Sequence, residues 1–391
     1  MGRHSAPDLG RSQNFDAEQA AGVAALTGLR PSGIAVVIPA RDEGADIEAA
    51  LYSVASQTLP PDQVLVVVNN STDDTAGQAR RVARQLWPLP VRVLEMPGVN
   101  PFRKAGALNY GLRQLAGAGV LLPQSIIRFV LTMDGDTELE AHFCERAARV
   151  MERDPRLGGV SAACLGKPEV TGTTAWQRAL VFFQRVEYSR FTVTRLRRNV
   201  HTMSGAGAFY RAEALNDLYE ARGQVFEQRE TNLVEDYETT LALKRAGWRV
   251  TANQACIAYT DLMTSMRALL AQRTRWVRGT VDEWRRYGWC RETRASIAGM
   301  AATVAGLLYT LAWASWSARE IGLHGWHPDP RYLVLAAFWS LYQGASVRHM
   351  GWRTVLVEAA LLPELAFGAV RYWWLARSVV ASYRRTGRAW S

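Results

Sequence analysis

Cysteine is scarce, with four in 391 residues. Cys144, Cys164, Cys256 and Cys290 are scattered with no metal-ligand spacing. That argues against a disulfide scaffold and a zinc-thiolate site, and it fits buried, reduced thiols on the cytosolic side. The N-terminus lacks an apolar signal core, so nothing suggests secretion of the N-terminal domain. There is no Gly-x-x-x-x-Gly-Lys-Ser/Thr, which argues against a P-loop motor, and no internal repeat. Charge is missing altogether from 297–316.

What is present narrows the classes further. Hydrophobic residues make up 48% and charged residues 21%, enough for a sizeable core. The net charge of +10 admits nucleic acid, an anionic membrane or a phosphate-bearing substrate as partner. Many of the 14 tryptophans fall in the C-terminal third beside apolar runs and arginines, a distribution that suits a membrane interface rather than a nucleic-acid groove. The uncharged run 297–316 has the length, about 20 residues, that spans a bilayer as a helix. Two further apolar runs, 332–347 and 354–370, extend a transmembrane region of about three spans. Glu358 and Glu364 in the last are costly in lipid and should face a bundle interior, a partner or the interface. Arg285, Arg286, Arg291 and Arg294 precede the first span, and the positive-inside rule then places the N-terminal domain in the cytoplasm of an integral inner- or plasma-membrane protein.

Along the chain, 1–32 reads as a flexible segment with a short Ala-rich helix over 15–26. Strands are expected at 33–39, 64–68, 91–95, 126–133, 160–164 and 251–259, alternating with helices, among them one carrying Ile47, Leu51 and Val54 and one over 103–115. This alternation predicts an α/β domain over 33–262 with a mostly parallel sheet. Ser71 or Thr72 should cap the second helix, with Asp73 and Asp74 in its first turn. The segment 173–198 reads either as a core-packed helix or as a helix in the headgroup plane. A helical segment over 263–295 leads to the membrane region, 296–391, which ends in a basic tail.

Four features stand out in order. Ile38-Pro39-Ala40-Arg41-Asp42-Glu43 and Asn69-Asn70-Ser71-Thr72-Asp73 each follow a strand. Asp134-Gly135-Asp136 ends another; residues two apart in extended chain point the same way, so both acids can face one ligand. Hard oxygens in such a pair suit Mg²⁺ or Mn²⁺ with a diphosphate completing the shell, although an isolated Asp-x-Asp is more often a solvated turn capping the helix that follows. Val234-Glu235-Asp236-Tyr237 opens a helix. Finally, Gln272, Arg275 and Trp276 lie at i, i+3 and i+4, on one helix face just before the first apolar run. Trp276 offers a flat face to a sugar ring, or an anchor at the lipid interface.

In this order the motifs resemble the family 2 inverting glycosyltransferases, specifically the membrane-bound polysaccharide synthases for cellulose, hyaluronan, chitin oligosaccharides and poly-N-acetylglucosamine. The resemblance covers roughly 33–279, and the membrane region in layout only. It implies a GT-A fold, a UDP-sugar donor and Mn²⁺ or Mg²⁺. Ala40 and Glu43 would lie by the uracil and ribose, with Asn69 also on the base, where the family usually has Asp. Lys104 would approach the base or diphosphate, Asp134 the nucleotide and Asp136 the metal. Asp236 would be the general base. Glu235, Gln272, Arg275 and Trp276 would serve the diphosphate and acceptor. The expected reaction is transfer of a hexose or N-acetylhexosamine to a growing glycan. Single-sugar transfer to a lipid or protein acceptor is the close variant, and an inactive transferase fold that binds membrane is the reading from another class. Expected partners are the donor, the acceptor, the lipid bilayer and a homo- or hetero-oligomer, without nucleic acid.

Overall fold

A computed structural model of the chain describes residues 32–117, 125–170, 172–195, 200–325, 330–360 and 362–384. The short helix expected over 15–26 and the end of the basic tail lie outside the described residues. The chain divides into two compact units, Met1–Val170 with Thr192–Leu262, and Thr171–Phe191 with Met263–Ser391.

The first unit is an eight-stranded mixed sheet flanked by helices. In chain order its elements are β1 (Ile34–Ala40), α1 (Ile47–Ala55), β2 (Gln63–Val68), α2 (Thr75–Gln85), β3 (Val91–Glu95), α3 (Arg103–Gly117), β4 (Phe129–Met133), β5 (Glu138–Leu139), α4 (Phe143–Arg153) and β6 (Leu157–Gly166). After α5 (Ala175–Arg195), most of which belongs to the second unit, come β7 (Gly207–Arg211), α6 (Ala212–Arg222), α7 (Glu235–Arg245) and β8 (Arg249–Thr260). The strand order is β3-β2-β1-β4-β7-β6-β8-β5. β1 to β4 run parallel, β7 is antiparallel to both its neighbours, and β5 is antiparallel to β8. β1, β2 and β4 are apolar almost throughout because helices cover both faces of the sheet, so nearly every side chain in them is buried. One core layer joins Ile34, Val36 and Ile38 to Leu51, Val54 and Phe143; the other joins Val37 and Val67 to Leu108 and Leu112.

One helix start needs correction. The second helix starts at Thr75, so neither Ser71 nor Thr72 caps it. Their hydroxyls are spent across the loop: Ser71 Oγ accepts from the Asp42 N–H at 3.1 Å, and Thr72 Oγ1 donates to Asp42 at 3.0 Å. The Gly-rich stretch 204–209 runs into β7, where Gly207 lets the backbone pass; a Cβ there would lie 3.0 Å from Ala162 Cβ.

The second unit is helical: α5 with α8 (Met266–Tyr287), α9 (Arg294–His324), α10 (Pro330–Ser346), α11 (Trp352–Ala359) and α12 (Leu362–Arg384). Leu180, Leu269, Phe367, Trp374 and Leu375 form its core, with Phe183 stacked on Phe367 at 4.7 Å between ring centres. The apolar run 354–370 is therefore not one helix, since α11 ends before α12 begins. Glu358, fully buried, is ion-paired at 2.6 Å with Arg190 from α5, which explains a charge in that run. Among the described residues one helix, α9, is long and apolar enough to cross a membrane.

Candidate active site

The carboxyl ends of β1, β2 and β4 meet at one edge of the first unit. Ala40 closes β1 and is fully buried; its carbonyl accepts from the Asn69 N–H at 3.0 Å and from Asn69 Nδ2 at 3.3 Å. Asn69 Oδ1 in turn accepts from Asn100 Nδ2 at 3.2 Å. Asn70 and Asn100 are cross-linked by two further bonds of 2.8 and 2.9 Å. An aspartate at 69 would keep the backbone bond but could not make the side-chain one, so the asparagine adds a second tie between the ends of β1 and β2. Asp42, Asn70 and Arg103 all have positive φ, at 56°, 52° and 54°. Non-glycine residues held in that conformation cluster where surrounding structure fixes a functional loop.

Asp134 and Asp136 follow β4, half-buried, with Gly135 between them against Glu43; a Cβ on Gly135 would come within 2.9 Å of Glu43 Cγ. Burial, then Asp136 and Asp134, pushes Glu43 up to about 8. Burial, then Asp134 and Asp261, pushes Asp136 up to about 7. Hard oxygens crowded until they resist ionisation are a donor set that fits a divalent cation. Among the described residues no group of three or more His, Cys, Asp or Glu side chains forms a ready cage. The fit is therefore to an ion that takes one or two protein carboxylates and completes its shell with phosphate and water. Asp136 is one carboxylate that could hold such an ion.

Lys104, at the start of α3, connects this corner to α7. Its Nζ lies 2.5 Å from Asp134 Oδ1, 3.1 Å from Glu235 Oε1 and 3.2 Å from the Gly205 carbonyl. Burial alone would lower its pKa, but Asp134 and Glu235 more than offset that and hold it above the ordinary lysine range. Gly205 also donates its N–H to Asp236 Oδ2 at 3.1 Å. Asp236 sits in the first turn of α7, and its other oxygen accepts from the Tyr237 N–H at 2.7 Å. Burial and then Glu235 push Asp236 up to about 6, against the pull of Lys104 and the two N–H groups. A half-buried carboxylate with that pKa is ionised at neutral pH yet basic enough to take a proton. Ala40, Glu43, Asn69, Lys104, Asp134, Asp136, Glu235 and Asp236 thus all lie in one unit, and Lys104 and Gly205 link Asp134 to Asp236.

Gln272, Arg275 and Trp276 lie on α8, in the second unit. Within that unit Arg273, nearly buried, places its guanidinium 4.3 Å from the centre of the Trp276 ring and pairs with Glu187 at 3.0 Å. One face of the indole is therefore taken by a cation. Two participants escaped sequence reading: Asn100 and Lys167 just after β6. Lys167 has no motif around it; its partners Asp46, Glu138 and Asp261 come from three distant stretches.

The chain spans about half the length of the curated relatives it matches. It is 22% identical over 254 residues to the poly-β-1,6-N-acetyl-D-glucosamine synthase of Staphylococcus aureus, covering 63% of this chain and 54% of that protein. It is 28% identical over 160 residues to an N-acetylglucosaminyltransferase of Azorhizobium caulinodans, covering 39% and 38%. Among solved structures, the mannosyltransferase PcManGT from Pyrobaculum calidifontis, in complex with GDP-Man and Mn²⁺, superposes with a TM-score of 0.55 at 19% identity, covering 89% of this chain and 98% of that one. That likeness shows a shared fold. Residues 31–279 match the model described as glycosyltransferase-like family 2, more than half of the chain, and the protein belongs to that family.

Proposed function

We propose that the protein is a membrane-anchored, divalent-cation-dependent inverting β-glycosyltransferase that moves a hexose or N-acetylhexosamine from a UDP-sugar to a growing glycan. The observation that carries this reading is the continuous set Asp136, Asp134, Lys104, Gly205 and Asp236, which sets a cation-seeking corner beside a carboxylate of raised pKa. Inversion requires one displacement at the anomeric carbon. Asp236 accepts the proton of the acceptor hydroxyl as its oxygen bonds to that carbon, and the bond to the diphosphate breaks. Asp134 and Glu235 hold the Lys104 ammonium where a nucleotide diphosphate can meet it, and Gly205 fixes the Asp236 carboxylate through its N–H. A bound Mn²⁺ or Mg²⁺ supplies positive charge for the leaving diphosphate. Ala40, Glu43 and Asn69 are assigned to the base and ribose. Gln272, Arg275 and Trp276 carry the family's diphosphate and acceptor roles as part of this proposal.

Membrane anchoring is supported by α9, 31 residues long with mean hydropathy 1.6 over its most apolar window, none of it buried. Large apolar side chains also stand exposed on α10, among them Val334, Leu335, Phe338 and Leu341. The cytoplasmic placement of the first unit rests on the arginines ahead of α9.

The test is to incubate the purified protein with UDP-glucose, UDP-N-acetylglucosamine, UDP-galactose or GDP-mannose and follow nucleotide release with and without Mn²⁺ or Mg²⁺. Release with at least one donor, dependent on the cation, is expected; none with any donor from folded protein sinks the reading. Product size then separates polymer from a singly modified acceptor.

A further inference from the structure

Lys167 is 4% exposed, and its ammonium lies 3.4 Å from Asp46, 3.2 Å from Glu138 and 3.3 Å from Asp261. Buried lysines occur when paired, but one partner suffices for pairing. Three carboxylates around one ammonium leave the cluster net negative, so plain neutralisation does not account for it. Each acid comes from a different piece of the acid corner. Asp46 ends the loop that begins with Glu43, Glu138 stands two residues after Asp136, and Asp261 directly follows β8. The backbone adds a fourth tie: the Lys167 N–H donates to the Thr260 carbonyl at 3.0 Å.

The residue type is informative. Only three of the 46 basic residues are lysines, and Lys104 and Lys167 are two of them. An ammonium presents three hydrogens in a tetrahedral fan and can reach three separate carboxylates. A guanidinium presents a flat fork suited to one or two. This corner has the geometry for which lysine alone is adequate. Lys167 is also a source of positive charge near Asp136, alongside Lys104.

We propose that Lys167 is a positioning residue for the donor corner: it ties the Glu43 loop, the Asp136 turn and the end of β8 to one ammonium, and its fixed charge sets how strongly the corner attracts a divalent cation. The proposal rests on the transferase reading above. Lys167 itself does not touch the reacting atoms.

The test uses the full-length protein with Lys167→Met and Lys167→Arg, each checked for folding by circular dichroism. Two readouts are taken: Mn²⁺ affinity without nucleotide, by titration, and kcat per folded molecule at saturating donor and Mn²⁺. Lys167→Met removes a nearby cation, so Mn²⁺ should bind about threefold more tightly or better. Its kcat should drop by about 10- to 100-fold, because a small misplacement of a catalytic corner is costly. Lys167→Arg keeps the charge but not the three-way geometry: Mn²⁺ affinity should stay near that of the unaltered protein while kcat falls. A merely structural lysine would lower the thermal midpoint in both variants and leave Mn²⁺ affinity and kcat per folded molecule unchanged, which overturns the proposal. If Lys167→Met does not fold, the Lys167→Arg kcat decides: near-normal turnover overturns the proposal, reduced turnover with normal Mn²⁺ affinity supports it. Absence of turnover in the unaltered protein counts against the transferase reading alone, since the Mn²⁺ titrations still report on Lys167.

Discussion

Asp236 is held between opposing influences. Burial and Glu235 disfavour its charge, while Lys104 and the N–H groups of Tyr237 and Gly205 favour it, and the balance sits at about 6. A general base must be ionised to act. Transfer should therefore be lost as the pH falls through about 6 and reach a plateau above it; a kcat profile that stays flat down to pH values well below 6 would remove Asp236 from the role. Asp236→Asn should cost about 10²- to 10⁴-fold in rate, with nucleotide affinity little changed, as read by product formation against nucleotide binding. Gly205 gives a second residue-scale prediction. An added Cβ would sit 2.7 Å from Lys104 Nζ and 3.4 Å from Asp236 Oδ2. Gly205→Ala should push the lysine off its carbonyl and raise the KM for donor while the fold, followed by thermal melting, is nearly unaffected.

At the scale of elements, α3 lies close on the sheet because Gly111 has no side chain. A Cβ there would meet Val37 Cγ1 at 2.7 Å and Val67 Cγ2 at 3.1 Å. Both valines are buried in the strands, so neither can move far. Gly111→Ala should thus destabilise the protein by about 1–3 kcal/mol in denaturant titration, despite alanine's better helix propensity. The same packing explains what could be read beforehand. β1, β2 and β4 announce themselves as β-branched runs because both faces are covered, and α1 through the spacing of Ile47, Leu51 and Val54. β7 hides because its crossing demands Gly207 and Ala208 where a strand signal would need bulk. The start of α2 is hidden in the sequence because a serine or threonine hydroxyl serves a distant loop as readily as a helix end, and here Ser71 and Thr72 serve Asp42. Candidate residues inside motifs were legible one by one, as candidates. The Lys104 linkage and the Lys167 cluster were not, because each joins positions that only the fold brings together.

The whole molecule divides its charge unevenly. The second unit holds 20 of the 46 Lys and Arg residues but only 8 of the 36 Asp and Glu, so the first unit is slightly acidic and the second strongly basic. With α9 exposed and apolar, the expected behaviour is that protein in membranes resists washing with high salt and is released by detergent. Release by salt alone would reduce the attachment to surface electrostatics. Chelation makes a further prediction for the intact protein: EDTA should stop transfer and added Mn²⁺ or Mg²⁺ restore it, as followed by nucleotide release.

The insertion of α5 into the middle of the sheet-forming sequence has a consequence for how the chain is made. Most of this helix belongs with elements far downstream: Gln184 exchanges hydrogen bonds of 2.7 and 3.0 Å with the Met263 backbone, Glu187 pairs with Arg273, and Phe183 stacks on Phe367. A ribosome delivers α5 long before those partners exist. The nascent sheet carries an unmatched apolar helix until the chain from Met263 onward is made, a natural client for a chaperone or the translocon. A fragment stopped at residue 262 would keep that burden permanently, so a shortened version meant to isolate the sheet is expected to aggregate unless α5 is trimmed as well.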